Sequence, residues 1–277
     1  MGTWPDYETI LYEERNGVAW VTMNRPERLN AFNSLMQREM HDMWRKLRRH
    51  DDVHCVVLTG AGEKAFCTGI DRMEQMGGGA DESTDPDVVG HGSTPFMFND
   101  PGDNLGPKSS DFWKPVIAAV NGMACGGAFY MLGEVEFIIA SENATFFDPH
   151  VTYGMTAAFE PIHMSGIMPF GEIMRLSLLG NYERVSAKRA YEIGLVSEVV
   201  PQEQLHDAAA WAAEAIAAQP QLAIQGTVRA IWAARELSNR QAVALGYAFV
   251  GLGTDQTSIQ EGQKVFESGK RLDWKLR

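Results

Sequence analysis

Over its first two hundred residues the chain shows short runs of apolar, β-branched side chains between polar turns; after Pro201 long stretches with helical spacing take over. Residues 10–23 alternate around Asn16-Gly17, a dipeptide suited to a tight hairpin, and predict two antiparallel strands, the second at 18–23. Residues 33–50 place Leu35, Met36, Met40, Met43, Trp44 and Leu47 at helical spacing behind a plausible N-cap, Asn33. Residues 54–59 read as a buried strand. Strand–helix–strand order of this kind implies a right-handed crossover in an α/β core. Residues 116–143 then predict strand, turn, helix and strand, the helix starting near Gly126 and running through Leu132, the strand covering 135–140. A short strand and loop at 146–155, helices at 168–179 and 186–193, and a strand at 196–200 complete this part. The region from 201 to 277 predicts helices at 205–218, 220–237 and 240–251, suited to an appendage or an oligomer interface. No internal repeat is visible.

Residues 77–110 break the pattern, being rich in Gly, Asp, Pro and Ser with few large apolar side chains besides Phe96, Met97 and Phe98. So long a loop in a compact domain predicts a mobile wall or lid over a site. The rest of the composition is that of an ordinary soluble globular protein, 45% hydrophobic and 22% charged. A formal charge of −12 disfavours nucleic acid as the main partner, RNA included, because phosphate binding needs a basic surface. A local basic patch can still hold a polyanionic ligand. The three cysteines, Cys55, Cys67 and Cys125, sit in apolar or glycine-rich surroundings and read as small, buried, reduced thiols of a cytoplasmic protein. No run approaches the roughly 18 apolar residues of a membrane span, and the first residues show no secretory pattern.

Two glycine-turn segments carry the chemistry. Ala65-Phe66-Cys67-Thr68-Gly69-Ile70-Asp71 and Lys114-Pro115, continuing to Asn121-Gly122-Met123-Ala124-Cys125-Gly126-Gly127, each follow an apolar run. Each can expose backbone N–H groups at a turn, and two such donors converging on one oxygen make an oxyanion hole. Other motifs fail on context. Gly60-Ala61-Gly62-Glu63-Lys64-Ala65 matches a dinucleotide fingerprint, but Gly69 would break the helix it must open. Ser165-Gly166 lacks the first glycine of a nucleophile elbow. No phosphate-binding P-loop, HExxH or CxxC pattern exists, and the seven histidines are scattered, so no metal site is expected.

With Asn24-Arg25-Pro26, Leu29-Asn30-Ala31, residues 56–60, residues 187–199 and Glu261-Gly262, these segments follow one another in an order that resembles the crotonase (enoyl-CoA hydratase/isomerase) superfamily. The resemblance runs from about Tyr12 to the C-terminus. It implies an α/β fold, a spiral of ββα turns over residues 1–200, followed by a helical trimerisation region at 201–277. It implies an acyl-CoA thioester as substrate, with coenzyme A part of that substrate and no separate cofactor, and a homotrimer or dimer of trimers. Carried over by position, the oxyanion donors would be the N–H groups of Ile70 and Gly127. The coenzyme A contacts would come from Arg28, Leu29, Ala31, Thr68, Ile70 and Lys270. Arg28 and Lys270 read equally well as solvated surface charges.

Enoyl-CoA hydratases of this superfamily keep one glutamate just after the glycine turn and a second after a Phe-x-x-Pro segment. Those positions are Tyr130 and His150 here. An imidazole suits proton transfer near neutrality, so His150 is a candidate general base. Tyr130 either donates a hydrogen bond to a carbonyl or packs. Glu134, four residues on, is expected to share its helix face and pair with Tyr130 or His150. Glu160 is a further acid candidate beside Asp148, and Glu136 reads as a structural partner. Phe159, Met155, Met164 and Met168 suit either a large apolar acyl group or ordinary core packing. These replacements leave hydration, isomerisation by one base, hydrolytic C–C cleavage of a β-dicarbonyl acyl-CoA, and acyl-CoA binding without catalysis all open.

Overall fold

The computed structural model describes Trp4 and residues 6–76, 100–269 and 274–277. Asn16 and Gly17, both at positive φ, turn β1 (Ile10–Arg15) back on β2 (Val18–Met23) in the expected hairpin. Helix α1 (Ser34–Leu47) makes the crossover to β3 (Cys55–Gly60), which lies parallel to β2. The Asn33 side chain accepts the Met36 N–H at 2.9 Å, as an N-cap does. The chain then leaves this sheet for β4 (Ala65–Cys67) and α2 (Arg72–Met76).

After α3 (Gly102–Leu105) the same sequence of elements recurs. Strand β5 (Val116–Val120) joins the first sheet beside β3, β6 (Met123–Cys125) lies beside β4, and α4 (Ala128–Leu132) follows. A third turn supplies β7 (Phe137–Ser141) and β8 (Thr145–Phe147), then α5 (Phe159–Met164) and α6 (Phe170–Leu179). Finally β9 (Val185–Ser186), α7 (Ala187–Glu192) and β10 (Glu198–Val200) complete two sheets, ordered β1-β2-β3-β5-β7-β10 and β4-β6-β8-β9. This is the expected spiral of ββα turns. Its repeat is one of backbone path, because each turn meets different neighbours and so carries different side chains. Strands β4 and β6, three residues each, replace what the sequence shows as plain turns; they are too short for an alternating pattern to declare them.

The large sheet is buried on both faces, which is why its strands read as continuous apolar runs. Ala19, Val21, Met23, Val56, Leu58, Val116, Ala118 and Val120 face the core shared with α1 and the small sheet. Val18, Trp20, Cys55, Val57, Ile117 and Ala119 face α8 (Leu205–Ala217), whose Ala209, Ala212, Ala213 and Ala217 allow close approach. By packing, therefore, the first helix of the 201–277 region covers the sheet. Helices α9 (Gln221–Glu236) and α10 (Asn239–Gly253) pack on each other, and α11 (Gln256–Glu267) follows. These three leave Ile231, Val243, Tyr247, Val250, Leu252 and Phe266 exposed. Most of the segment expected as a lid, residues 77–99, lies outside the described residues. Its remainder forms α3, where Leu105 accepts the Trp44 indole N–H at 3.0 Å.

Two buried amides clip the spiral together. Asn30 donates to the carbonyls of Ala61 (3.0 Å) and Ala65 (2.8 Å) and accepts the Arg25 N–H (3.0 Å). Asn121 donates to the carbonyls of Gly62 (2.6 Å) and Ala65 (3.1 Å) and accepts the Gly60 N–H (3.3 Å). Both bind the loop that carries the chain from β3 to β4. An Asn121→Ala variant strands the Gly60 amide and the Gly62 carbonyl, and is expected to lose about 2–3 kcal/mol in urea unfolding, against a fraction of that for a surface alanine.

Candidate active site

The turn after β4 and the turn after β6 meet without side chains between them. Gly69 has φ +81°, a conformation that favours glycine, and a Cβ on it would lie 2.9 Å from the Gly127 nitrogen. A Cβ on Gly127 would lie 2.6 Å from the Phe32 ring and 3.4 Å from the Gly69 Cα. Phe32 fixes the first turn from the other side: its N–H donates to the Gly69 carbonyl at 2.9 Å, and its carbonyl accepts the Asp71 N–H at 2.8 Å. Arg25 donates to the Asp71 carboxylate (2.8 Å) and the Ala31 carbonyl (2.6 Å). Burial raises the Asp71 carboxyl, but the Arg25 bond and charge bring it below its ordinary value. Among the described residues the N–H groups of Ile70 and Gly127 have no hydrogen-bond partner. Helix α4 begins one residue beyond Gly127 and is only five residues long, so these donors act more through direct hydrogen bonding than through a long helix dipole.

A cleft of about 560 Å³ opens over these turns. Arg28, Leu29, Ala31, Thr68 and Ile70, five of the six residues expected to contact coenzyme A, line it together. The sixth, Lys270, lies outside the described residues. Two further cations line the same cleft, each over an aromatic ring: Arg72 at 4.0 Å from the Tyr153 ring centre and Arg184 at 4.3 Å from that of Phe147. No carboxylate pairs with Arg28, Arg72 or Arg184 among the described residues, which leaves three cations facing the opening. Cys125 also lines the cleft, but burial pushes its thiol up to about 12, so it is no nucleophile near neutrality.

His150 stands beside the second turn; a Cβ on Gly126 would lie 3.7 Å from its Cε1. Its Nδ1 is 2.5 Å from Asp148 Oδ1, and the same oxygen accepts the His150 backbone N–H at 3.1 Å. Asp148 is fully buried and so fixes the ring, presenting Nε2 outward. That nitrogen lies 3.3 Å from Glu160 Oε1 on α5. The Asp148 hydrogen bond raises the imidazole above its ordinary value despite burial; the Glu160 charge adds to the rise and Arg72 opposes it. Burial in turn holds the Glu160 carboxyl above the ordinary carboxylate range, with His150 pulling the other way. Tyr130 donates to Asp100 Oδ2 at 3.0 Å, and burial, together with the charges of Glu160 and Asp100, raises its hydroxyl well above the usual range.

The expected residues thus divide. Tyr130, His150 and Glu160 come together. Glu134 does not join them: the hydroxyl and backbone N–H of Ser109 donate to its carboxylate, the latter at 2.8 Å, and His163 lies 3.6 Å away. Helix α4 stops at Leu132, and beyond it Glu134 meets Ser109 and His163 instead of pairing with Tyr130 or His150. Glu136 is a structural partner, accepting the Trp232 indole N–H and pairing with Lys108, both at 2.8 Å. Met164 and Met168 are core, while Phe159 and Met155 are exposed.

The chain's relatives match this architecture. A family profile described as enoyl-CoA hydratase/isomerase covers residues 13–277. The chain belongs to the enoyl-CoA hydratase/isomerase family. It is 31% identical to the (E)-benzylidenesuccinyl-CoA hydratase of Thauera aromatica over 93% of this chain and 95% of that one. It is 34% identical to the 1,2-epoxyphenylacetyl-CoA isomerase of Escherichia coli K12 over 77% and 78%. A crystal structure of an enoyl-CoA hydratase/isomerase from Mycobacterium paratuberculosis superposes with a TM-score of 0.86 at 33% identity, covering 98% of this chain and all of that one. The chain is accordingly an enzyme of this family. Among the described residues no helix is long and apolar enough to cross a membrane.

Three residues of this enoyl-CoA hydratase/isomerase site escape a reading of the sequence alone. Asp148 announces itself only by its position two residues before His150. Arg184 reaches the cleft because β9 pairs with β8, and Asp100 because α3 packs on α4; neither has a local sequence signal. Asp148→Asn is expected to lower the His150 titration, followed by ring-proton NMR, towards 6.5 or below. Since the raised value belongs to the folded state, the stability His150 contributes is full below its ordinary value. It is lost as pH rises through the raised one, and this window should narrow in the variant.

Proposed function

We propose that this enzyme binds an acyl-CoA thioester in the cleft over the two glycine turns and moves a proton at carbon next to the carbonyl, through an enolate. The N–H groups of Ile70 and Gly127 hold the thioester oxygen, and His150 is the general base. One such donor is worth roughly 3–4 kcal/mol in the transition state. The observation that carries the reading is the Asp148–His150–Glu160 array standing against the Gly126 turn. His150 takes the place of one glutamate expected from the family resemblance, and Glu160, from another element, supplies the second titrating group. Nε2 and Glu160 Oε1 are 3.3 Å apart, which leaves no room for a water held between them. That favours abstraction and return of a proton, isomerase-type chemistry, over hydration.

Arg28, Arg72 and Arg184 suit the phosphates of coenzyme A, and the absence of carboxylate partners among the described residues leaves them available. The names of two relatives carry aromatic acyl groups, benzylidenesuccinyl and epoxyphenylacetyl. The exposed Phe159, next to Glu160 in the chain, and Met155, whose N–H donates to the His150 carbonyl, suit such a ring, so aryl as well as linear acyl groups belong among the substrates. The apolar side chains exposed on α9 to α11 support the expected homotrimer or dimer of trimers.

Incubation with linear and aryl 2- and 3-enoyl-CoAs in D2O, followed by mass-resolved chromatography, is expected to show deuterium uptake and double-bond migration. His150→Asn should slow both by about 100-fold or more with binding retained. Gain of one water would replace isomerisation by hydration. Binding with neither deuterium uptake nor a product would overturn enolate catalysis. Separately, Arg184→Ala is expected to raise KM for a CoA thioester and leave that for the matching pantetheine thioester, which lacks the nucleotide, unchanged.

A further inference from the structure

We propose that Tyr130 and Asp100 form the outward end of a proton-sharing chain that begins at His150, and that Asp100 is the group through which the occupied site exchanges a substrate-derived proton with water. The proposal rests on the enolate reading above and names positioning residues for it.

A proton taken by His150 has few ways out. Asp148 is fully buried behind the ring, Glu160 is 4% exposed and Tyr130 5%. On the remaining side the thioester itself would cover Nε2. Among the described residues one set of polar side chains leads outward. His150 Nε2 faces Glu160 Oε1 at 3.3 Å, the Glu160 charge bears on the Tyr130 hydroxyl, and Tyr130 donates to Asp100 Oδ2 at 3.0 Å. Asp100 stands at the turn into α3, only partly buried, where its other oxygen accepts the Gly102 N–H at 2.9 Å. Gly102 makes room for this contact: a Cβ there would lie 2.6 Å from Tyr130 Cδ1. The groups bearing on the chain are Asp103 on α3, His163 on α5, whose ring meets the Tyr130 ring edge-on at 6.0 Å, Asp148 behind His150, and Arg72. Burial raises the Asp100 carboxyl above its ordinary range, so it holds a proton more readily than a surface aspartate.

The transfer balances without a co-reactant. The C–H bond of the substrate breaks, its electron pair stays in the enolate, and its proton goes to Nε2. Nε2 passes a proton to the Glu160 oxygen facing it while Glu160, protonated beforehand, releases its own to the Tyr130 oxygen. The Tyr130 hydroxyl proton moves to Asp100, which gives it to water. Return of the chain to its starting state brings a solvent proton inward along the same atoms.

The test uses an enoyl-CoA deuterated at the carbon that loses its proton, turned over in ordinary water, with the product's deuterium read by mass spectrometry. The wild type is expected to wash out most of the label. Asp100→Asn and Tyr130→Phe, each checked for an unchanged melting temperature, should retain it several-fold more, because the proton can then only return from His150. Asp100→Glu should restore washout. The two variants are independent, so misfolding of one leaves the other to decide. Label retention equal to wild type in the folded variants overturns this proposal alone. A wild type that binds the thioester yet neither converts it nor loses label overturns the enolate reading and this proposal with it.

Discussion

The site depends on one constraint, the contact of two backbone turns with no side chain between them. Gly69 and Gly127 belong to consecutive turns of the spiral, and their main chains approach so closely that a methyl group on either would meet backbone or the Phe32 ring. Everything around them serves to hold that approach. The Asn30 and Asn121 amides clamp the loop before β4, Phe32 pairs with the first turn, and the Arg25–Asp71 pair locks the segment that follows. Because the spiral advances by one strand in each sheet per turn, the contact follows from sheet register. The backbone contact can therefore stay fixed while the side chains around it change.

That freedom explains how proton chemistry can be rebuilt here. Two carboxylates facing one another repel when both are charged, and one must carry the proton. An imidazole facing a carboxylate has the opposite coupling, since the doubly charged state is an attractive pair. For His150 and Glu160 the balance lies between a neutral pair and an ion pair. The buried Asp148 biases the balance towards the imidazolium, and the apolar surroundings of Glu160 bias it back towards the neutral acid. The balance is set by burial on one side and a single hydrogen bond on the other.

Much of this was legible in the residues and some was not, for physical reasons. The hairpin at Asn16-Gly17, the amphipathic α1 and the buried runs of the large sheet each carry their signal within a few residues. So do the glycine turns, whereas the cleft-lining set from Arg28 to Ile70 came from the family resemblance. Strands β4 and β6 carry none, because three residues cannot show a period. Asp100 and Arg184 are brought to the site by α3 packing and by β8–β9 pairing, both long-range events. Glu134 shows the converse: its spacing from Tyr130 is helical, but the helix ends before reaching it.

The fates of three nearby acids show what separates a reactive carboxylate from a structural one. Glu136 accepts bonds from the Val116 amide and the Trp232 indole, and Glu134 from the amide and hydroxyl of Ser109. These donors fix both carboxylates in place, and each also meets a basic side chain, Lys108 on Glu136 at 2.8 Å and His163 on Glu134 at 3.6 Å. Glu160 is as buried as Glu134, and the side chain facing it is an imidazole held from behind by the buried Asp148. Burial alone does not distinguish the three. What sets Glu160 apart among the described residues is where its partner stands: His150 lies against the Gly126 turn, whereas His163, facing Glu134, packs beside Gly133.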